Sequence, residues 1–277
     1  TYLALDNQRF DEPCVLKEFM LIASEENPCI SRKLFERKAK VLYQIQHPQV
    51  PQFLAWFTDN QRIFIIHQYI QGKTYSKILS DQIALHRQPF SQTEVKTWLM
   101  DILPVVGYLH EYKVIHRNIS LDNIILPLEQ SKPMLINFGY VKDNFSQIMS
   151  PDSLNDFNSI RYSVTGRLGY SPPELLHLGL SYPESDFYAL GVCAVILLTG
   201  KMPHLLLDDL LNGQWRSQMN ICNKFAIILQ KMLQQEPSAR FQSAQEIILA
   251  LNNEHSKPSF LPAFKLSIES PIKAIKN

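Results

Sequence analysis

His116-Arg117-Asn118-Ile119-Ser120-Leu121-Asp122-Asn123 is a polar stretch between apolar segments. Two short β-rich runs, Asn123 to Leu126 and Pro133 to Ile136, separate it from Asn137-Phe138-Gly139. From Asn137 to Glu174 the chain stays polar, rich in Ser and Asn and weakly periodic. A stretch of that length inside a compact domain usually marks a functional or mobile loop.

Outward from this centre the pattern divides in two. Upstream, Ser91-Gln92-Thr93-Glu94 is a capping box that opens a helix reaching roughly Tyr112. Downstream, Ser243-Ala244-Gln245-Glu246 opens another. The first third alternates β-rich runs (Cys14 to Phe19, Phe53 to Phe57, Ile63 to Tyr69) with one amphipathic stretch, Ile30 to Ile45, which predicts a small sheet with one helix. Thr58-Asp59-Asn60-Gln61 is turn-like and makes Arg62 to His67 the second arm of a hairpin. Gly72 marks a break, and the remainder reads as mostly helical. After Asn252 the Ser-Lys-Pro-Ser and Leu-Pro segments look like a tail leading elsewhere.

The 277 residues allow one large domain or two small ones, and an apolar fraction of 45% is ordinary for a packed core. A net charge of +1, with Lys and Arg scattered among acids, gives no field for nucleic acid or an anionic membrane. Cys14, Cys29, Cys193 and Cys222 lie far apart without a CxxC pair and read as buried thiols of a reducing compartment. The longest apolar run, Tyr188 to Thr199, is too short for a bilayer, and Thr1-Tyr2-Leu3-Ala4 forms no signal peptide. A cytoplasmic segment without a membrane span is expected, one that can belong to a longer protein.

In their order, the motifs resemble the bacterial branch of the Ser/Thr protein kinases, over essentially the whole chain to about residue 252. Cys14-Val15-Leu16-Lys17 resembles the strand that carries the ATP-binding Lys, and residues 116–123 resemble the catalytic loop. Asn137-Phe138-Gly139 stands where a metal-binding Asp-Phe-Gly belongs. Ser171-Pro172-Pro173-Glu174 is similar to the end of the activation segment, and Ser185-Asp186 leading to Leu190-Gly191 is similar to the helix-F Asp and its glycine. Arg240 stands where the family's Arg pairs with that Glu.

The resemblance implies an α+β, two-lobed kinase fold. A small β-rich lobe would cover residues 1–70, a larger helical lobe 71–252, and a linker or tail 253–277. Thr1-Tyr2-Leu3-Ala4 resembles the strand after the Gly-rich loop, so the first strand and that loop are not visible. A nucleotide cleft is implied as well: Lys17 on phosphate, His67 at the gatekeeper position, and Gln68, Tyr69 and Ile70 as the adenine-facing hinge. Ile125 would pack under adenine. Leu42, Phe138 and His116 would form an apolar stack anchored on Asp186, and Gly139, Arg117, Glu174 and Arg240 would serve structure.

Several departures from the family fall on the chemistry. Phosphoryl transfer needs metal ions bridging the phosphates, a Lys on the phosphates and a carboxylate near the attacking hydroxyl. Asn118 replaces that carboxylate with an amide, which accepts no proton. Asn123 matches the second metal ligand, but Asn137 offers a hard cation only a neutral carbonyl, so the resemblance implies a weak or absent Mg²⁺ site. Ser120 stands where a phosphate-contacting Lys is usual. On the helix, Leu34, Leu42 and Ile45 mark the buried face and Lys38 shares it, pointing toward Lys17 where the family places the paired Glu. Glu36 is about 200° around the helix from Lys38 and faces away.

A pseudokinase is the expected function: a regulatory or interaction module for another protein, with ATP a possible ligand and no nucleic-acid partner. The alternative is a Ser/Thr kinase of weak or unorthodox ATP-dependent activity, and a decaying domain is a third reading. Ser163 and Thr165 are candidate phosphorylation sites with Arg117 as cationic partner. Bland readings stand beside these: core packing for Leu42, Phe138 and Ile125, a packed His67, solvated loop hydroxyls, and a loop-stabilising hydrogen bond for Asn123.

Overall fold

A computed structural model describes residues 1–20, 36, 39–60, 62–137, 142–143, 169–203, 205–206 and 214–253. Lys38, Phe138, Gly139, Ser163, Thr165 and Cys29 lie outside them, as does nearly all of the expected tail.

The N-terminal lobe is an antiparallel sheet of β1 (Tyr2–Asp6), β2 (Glu12–Met20), β3 (Phe53–Asp59) and β4 (Arg62–Gln68) in the order β1-β2-β4-β3. Alternate residues of β4, Ile63, Ile65 and His67, are buried while their neighbours are not, the period-two pattern of a half-covered strand. The hairpin turn passes through Asn60 at φ 43°, a left-handed conformation that asparagine tolerates. A helix follows β2 in sequence, described at 36 and over 39–44 (α1), and its Ala39 and Leu42, with Ile45 just beyond, face the interior. Glu36 is exposed, as its helical position predicts.

Gly72 is a correction to the expected break. It begins β5 (Gly72–Thr74), which pairs with β7 (Ile124–Pro127), and β8 (Met134–Leu135) completes that sheet. A Cβ on Gly72 would lie 2.4 Å from the Leu126 carbonyl oxygen, so only glycine allows the approach. Helix α2 (Tyr75–His86) follows immediately, capped by the Thr74 hydroxyl.

Helix α3 (Gln92–Glu111) carries the expected capping box, with Ser91 and Glu94 bonding each other's backbone. Val95, Trp98, Leu99, Ile102, Leu103, Val106 and Leu109 recur at three- and four-residue spacing and are buried. Gln49 ties this helix to the sheet connection: its Nε2 donates to the carbonyls of Asp101 and Pro133, each at 2.8 Å.

The polar stretch expected to run to Glu174 ends earlier, because Pro173 opens helix α4 (Pro173–Leu178), closed by Gly179 at φ 64°. Helix α5 (Pro183–Thr199) is buried on all sides from Ser185 to Leu198 and runs through the centre of the helical lobe. A Cβ on its Gly191 would lie 3.1 Å from the Met232 Cβ, in α6 (Asn223–Met232), so the glycine brings the two helices together. Helix α7 (Ala244–Asn252) starts at Ser243, but its Glu246 carboxylate accepts from Gln242 N–H, one residue before the cap. Cys14 and Cys193 are buried, whereas Cys222 is exposed, correcting the expectation of buried thiols. Its sulfur caps α6 by accepting from Phe225 N–H, work done at a helix end rather than in the core. Among the described residues no helix is long and apolar enough to cross a membrane.

Candidate nucleotide cleft

Lys17 pairs with Ile65 across the β2–β4 ladder and Val15 pairs with His67, which makes Lys17 and His67 diagonal neighbours on one sheet face. Both are 5% exposed. Burial lowers the Lys17 pKa to about 8, and no carboxylate among the described residues pairs with it. Burial, with help from the Lys17 charge, lowers His67 to about 3, so its ring is neutral. The ring stands edge-on to Phe53 at 5.7 Å, and its Nδ1 is buried without a hydrogen-bond partner among the described residues. Beyond it, the Gln68 amide donates to the Gln52 carbonyl at 2.9 Å, Tyr69 is exposed and Ile70 is half-buried.

Facing this wall, the loop before β7 closes on the end of β8 in a ring of hydrogen bonds. Asn118 N–H donates to His116 Nδ1 at 3.3 Å, which fixes the proton on Nε2, and Nε2–H donates to the Ile136 carbonyl at 3.0 Å. Ile136 N–H donates to the Asn123 carbonyl at 2.9 Å. Asn123 Nδ2 donates to the Asn118 carbonyl at 2.7 Å, and Asn123 Oδ1 accepts from Asn137 Nδ2. His116 is fully buried and neutral, burial taking its pKa to about 4. Asn137 holds its place with φ 70°, which asparagine adopts more readily than most residues. Ser120, within the loop, is buried, and Ile125 is half-buried between Thr74 and Met134.

Asp186 anchors the loop from below. Its carboxylate accepts the backbone N–H groups of His116 and Arg117, both at 2.9 Å, and pairs with His110 Nε2 at 2.9 Å. Burial pushes this carboxyl up, but the His110 and backbone bonds outweigh it and hold the pKa below the usual range. The same bonds stabilise Arg117 at φ 64°. Burial takes its guanidinium down to about 10; Nε donates to Ser181, and one terminal nitrogen is buried without a partner among the described residues. Further away, Arg240 grips Glu174 through two parallel bonds of 2.7 and 2.9 Å.

A sheet lobe and a helical lobe, with a buried lysine on the sheet and an Asp-anchored polar loop in the helical part, make up a kinase-like fold. The family model of the protein kinase domain matches residues 8–250, and the chain belongs to that family. It is 33% identical over 242 residues to serine/threonine-protein kinase B of Synechocystis sp., covering 86% of this chain and 41% of that protein. It is also 33% identical over 264 residues to serine/threonine-protein kinase C of the same organism (92% and 47%). The likeness to serine/threonine-protein kinase PknA of Nostoc sp. is again 33%, over 260 residues (91% and 44%). The chain thus spans less than half the length of these relatives. A kinase domain implies ATP, and typically Mg²⁺, as ligands.

Of the residues singled out in the sequence, the structure gathers Asn118, Asn123, Asn137 and His116 into one ring and sets Lys17 beside His67 on the sheet. Leu42 is buried in the main core. Two contributors escaped notice. His110 completes the Asp186 anchor, and the signal was available: a histidine in the last turn of a helix that ends five residues before the loop. Gln49, buried and bridging two carbonyls, left no sequence signal, because a lone glutamine after a helix is ordinarily solvated.

Proposed function

We propose that this domain is a pseudokinase, a regulatory or interaction module for a protein partner, whose cleft holds a nucleotide without efficient phosphotransfer. The observation that carries this is Asn118. Its backbone is held in the Asp186-anchored loop where the family's base would sit, yet its side chain is an amide and takes no proton. Asn123 and Asn137, hydrogen-bonded to each other beside it, are amides as well. Loss of a general base alone lowers rate by about 10²- to 10⁴-fold.

The retained Lys17 and Asn123, and relatives named as Ser/Thr kinases, favour a second reading, a kinase of weak activity. Transfer of labelled phosphate from ATP to a generic Ser/Thr substrate separates the two. The full-length parent is expected to match its Lys17→Met variant, while Asn118→Asp/Asn137→Asp/Lys38→Glu gains about 10²-fold or more. Transfer by the parent that disappears in Lys17→Met would establish the weak kinase instead.

A further inference from the structure

Resting on the pseudokinase reading, we infer that the Asn137 amide takes the place of the divalent metal, so that the cleft binds a nucleotide independently of metal. In a kinase the loop Asn and the Asp after the strand both present oxygen, and two such oxygens sit close only with a cation between them. Here Asn137 presents Nδ2 to Asn123 Oδ1, so a hydrogen bond does the bridging. The other end of Asn123 is engaged too, donating to the Asn118 carbonyl at 2.7 Å.

The consequence for a metal follows from charge. A cation approaching Asn123 Oδ1 would meet the positive end of the Asn137 amide. To admit it, Asn137 must turn its amide over and give up its bond to Asn123, which sits in the ring that joins Asn118, Asn123, Ile136 and His116. It would then offer a neutral carbonyl where a hard cation takes anionic oxygen. No group of three His, Cys, Asp or Glu side chains among the described residues is placed to hold a metal. The floor is thereby tied together before any ligand arrives, and the facing cation is Lys17. The ligand class is a purine nucleotide without its divalent ion.

Thermal unfolding of the full-length protein tests this without reading phosphotransfer. The parent should unfold at the same temperature in EDTA and in millimolar MgCl₂, and ADP should raise that temperature equally in both. Asn137→Asp sets a carboxylate against Asn123 Oδ1, so its midpoint should fall by roughly 2–4 °C in EDTA and recover in MgCl₂. A parent stabilised by MgCl₂ alone, or by ADP only with MgCl₂, overturns the inference. So does an ADP shift absent under both conditions, or an Asn137→Asp protein that equals the parent in EDTA. If Asn137→Asp does not fold, the parent's four conditions decide. A parent that transfers phosphate but shows these midpoints would sink the pseudokinase reading and leave the amide bridge standing.

Discussion

Arg240 and Lys17 are both cations held in the interior, at 1% and 5% exposure, under opposite conditions. Arg240 has the Glu174 carboxylate, the carbonyls of Gln234, Gln235 and Glu184, and the Tyr188 ring at 4.9 Å. Lys17 has no carboxylate among the described residues, and burial alone moves its pKa. A buried charge surrounded by partners belongs to the scaffold. One without a counter-ion waits for a ligand or records a lost one. The Arg240–Glu174 pair is satisfied on every side, while Lys17 has no carboxylate among the described residues.

The largest expected effect comes from breaking the satisfied pair. Burial pushes the Glu174 carboxyl up, but bonds from Arg240 and Ser185 outweigh it and hold the carboxyl ionised. Glu174→Gln would leave Arg240 charged and buried, at a cost of about 3–5 kcal/mol in urea unfolding. A loss under about 1 kcal/mol would show that the carbonyls around Arg240 suffice without the carboxylate.

Lys17→Met should move stability the other way. The folded pKa of about 8 lies below the ordinary lysine value of 10.5, so the unfolded chain binds the extra proton between those pH values. Stability therefore rises with pH across that window, and at pH 7 the charged Lys17 costs up to about 3 kcal/mol. The methionine variant should gain up to that amount at pH 7, with the gain shrinking as pH climbs from about 8 toward 10.5. An equal or less stable variant would mean that Lys17 has a counter-ion in the folded protein.

The same contrast explains how far the sequence could be read. The fold follows from local rules repeated in order: a hairpin around Asn60, a capping box at Ser91, and a further helix start at Ser243. Each is fixed by residues a few positions apart. Asn118, Asn123 and Asn137 were legible as substitutions, since a motif shows which side chain stands where. That Asn137 donates to Asn123 was not, because the direction of an amide depends on partners that meet only after folding. Gly72 misled for a similar reason: a glycine that starts a strand looks like one that ends it until the Leu126 carbonyl opposite is known.

The smallest effect concerns two buried histidines. Both ring nitrogens of His116 have partners, whereas Nδ1 of His67 has none among the described residues. His116→Leu leaves the Ile136 carbonyl and the Asn118 N–H without the ring and should cost about 1–3 kcal/mol, whereas His67→Leu removes an unsatisfied atom and should gain about 1 kcal/mol at pH 7. The folded pKa of His67, about 3, lies below the ordinary histidine value of 6.5. The unfolded chain thus binds more protons between these values, and the parent loses stability as pH falls through that range. The gain from His67→Leu should accordingly widen by about 1.4 kcal/mol for each pH unit below 6.5, until the parent unfolds. Urea midpoints at pH 7 and pH 5 measure both terms. A gain that stays flat between them would mean the imidazolium finds a partner in the folded cleft, and the wall around Lys17 and His67 would then already hold the negative charge that its described residues lack.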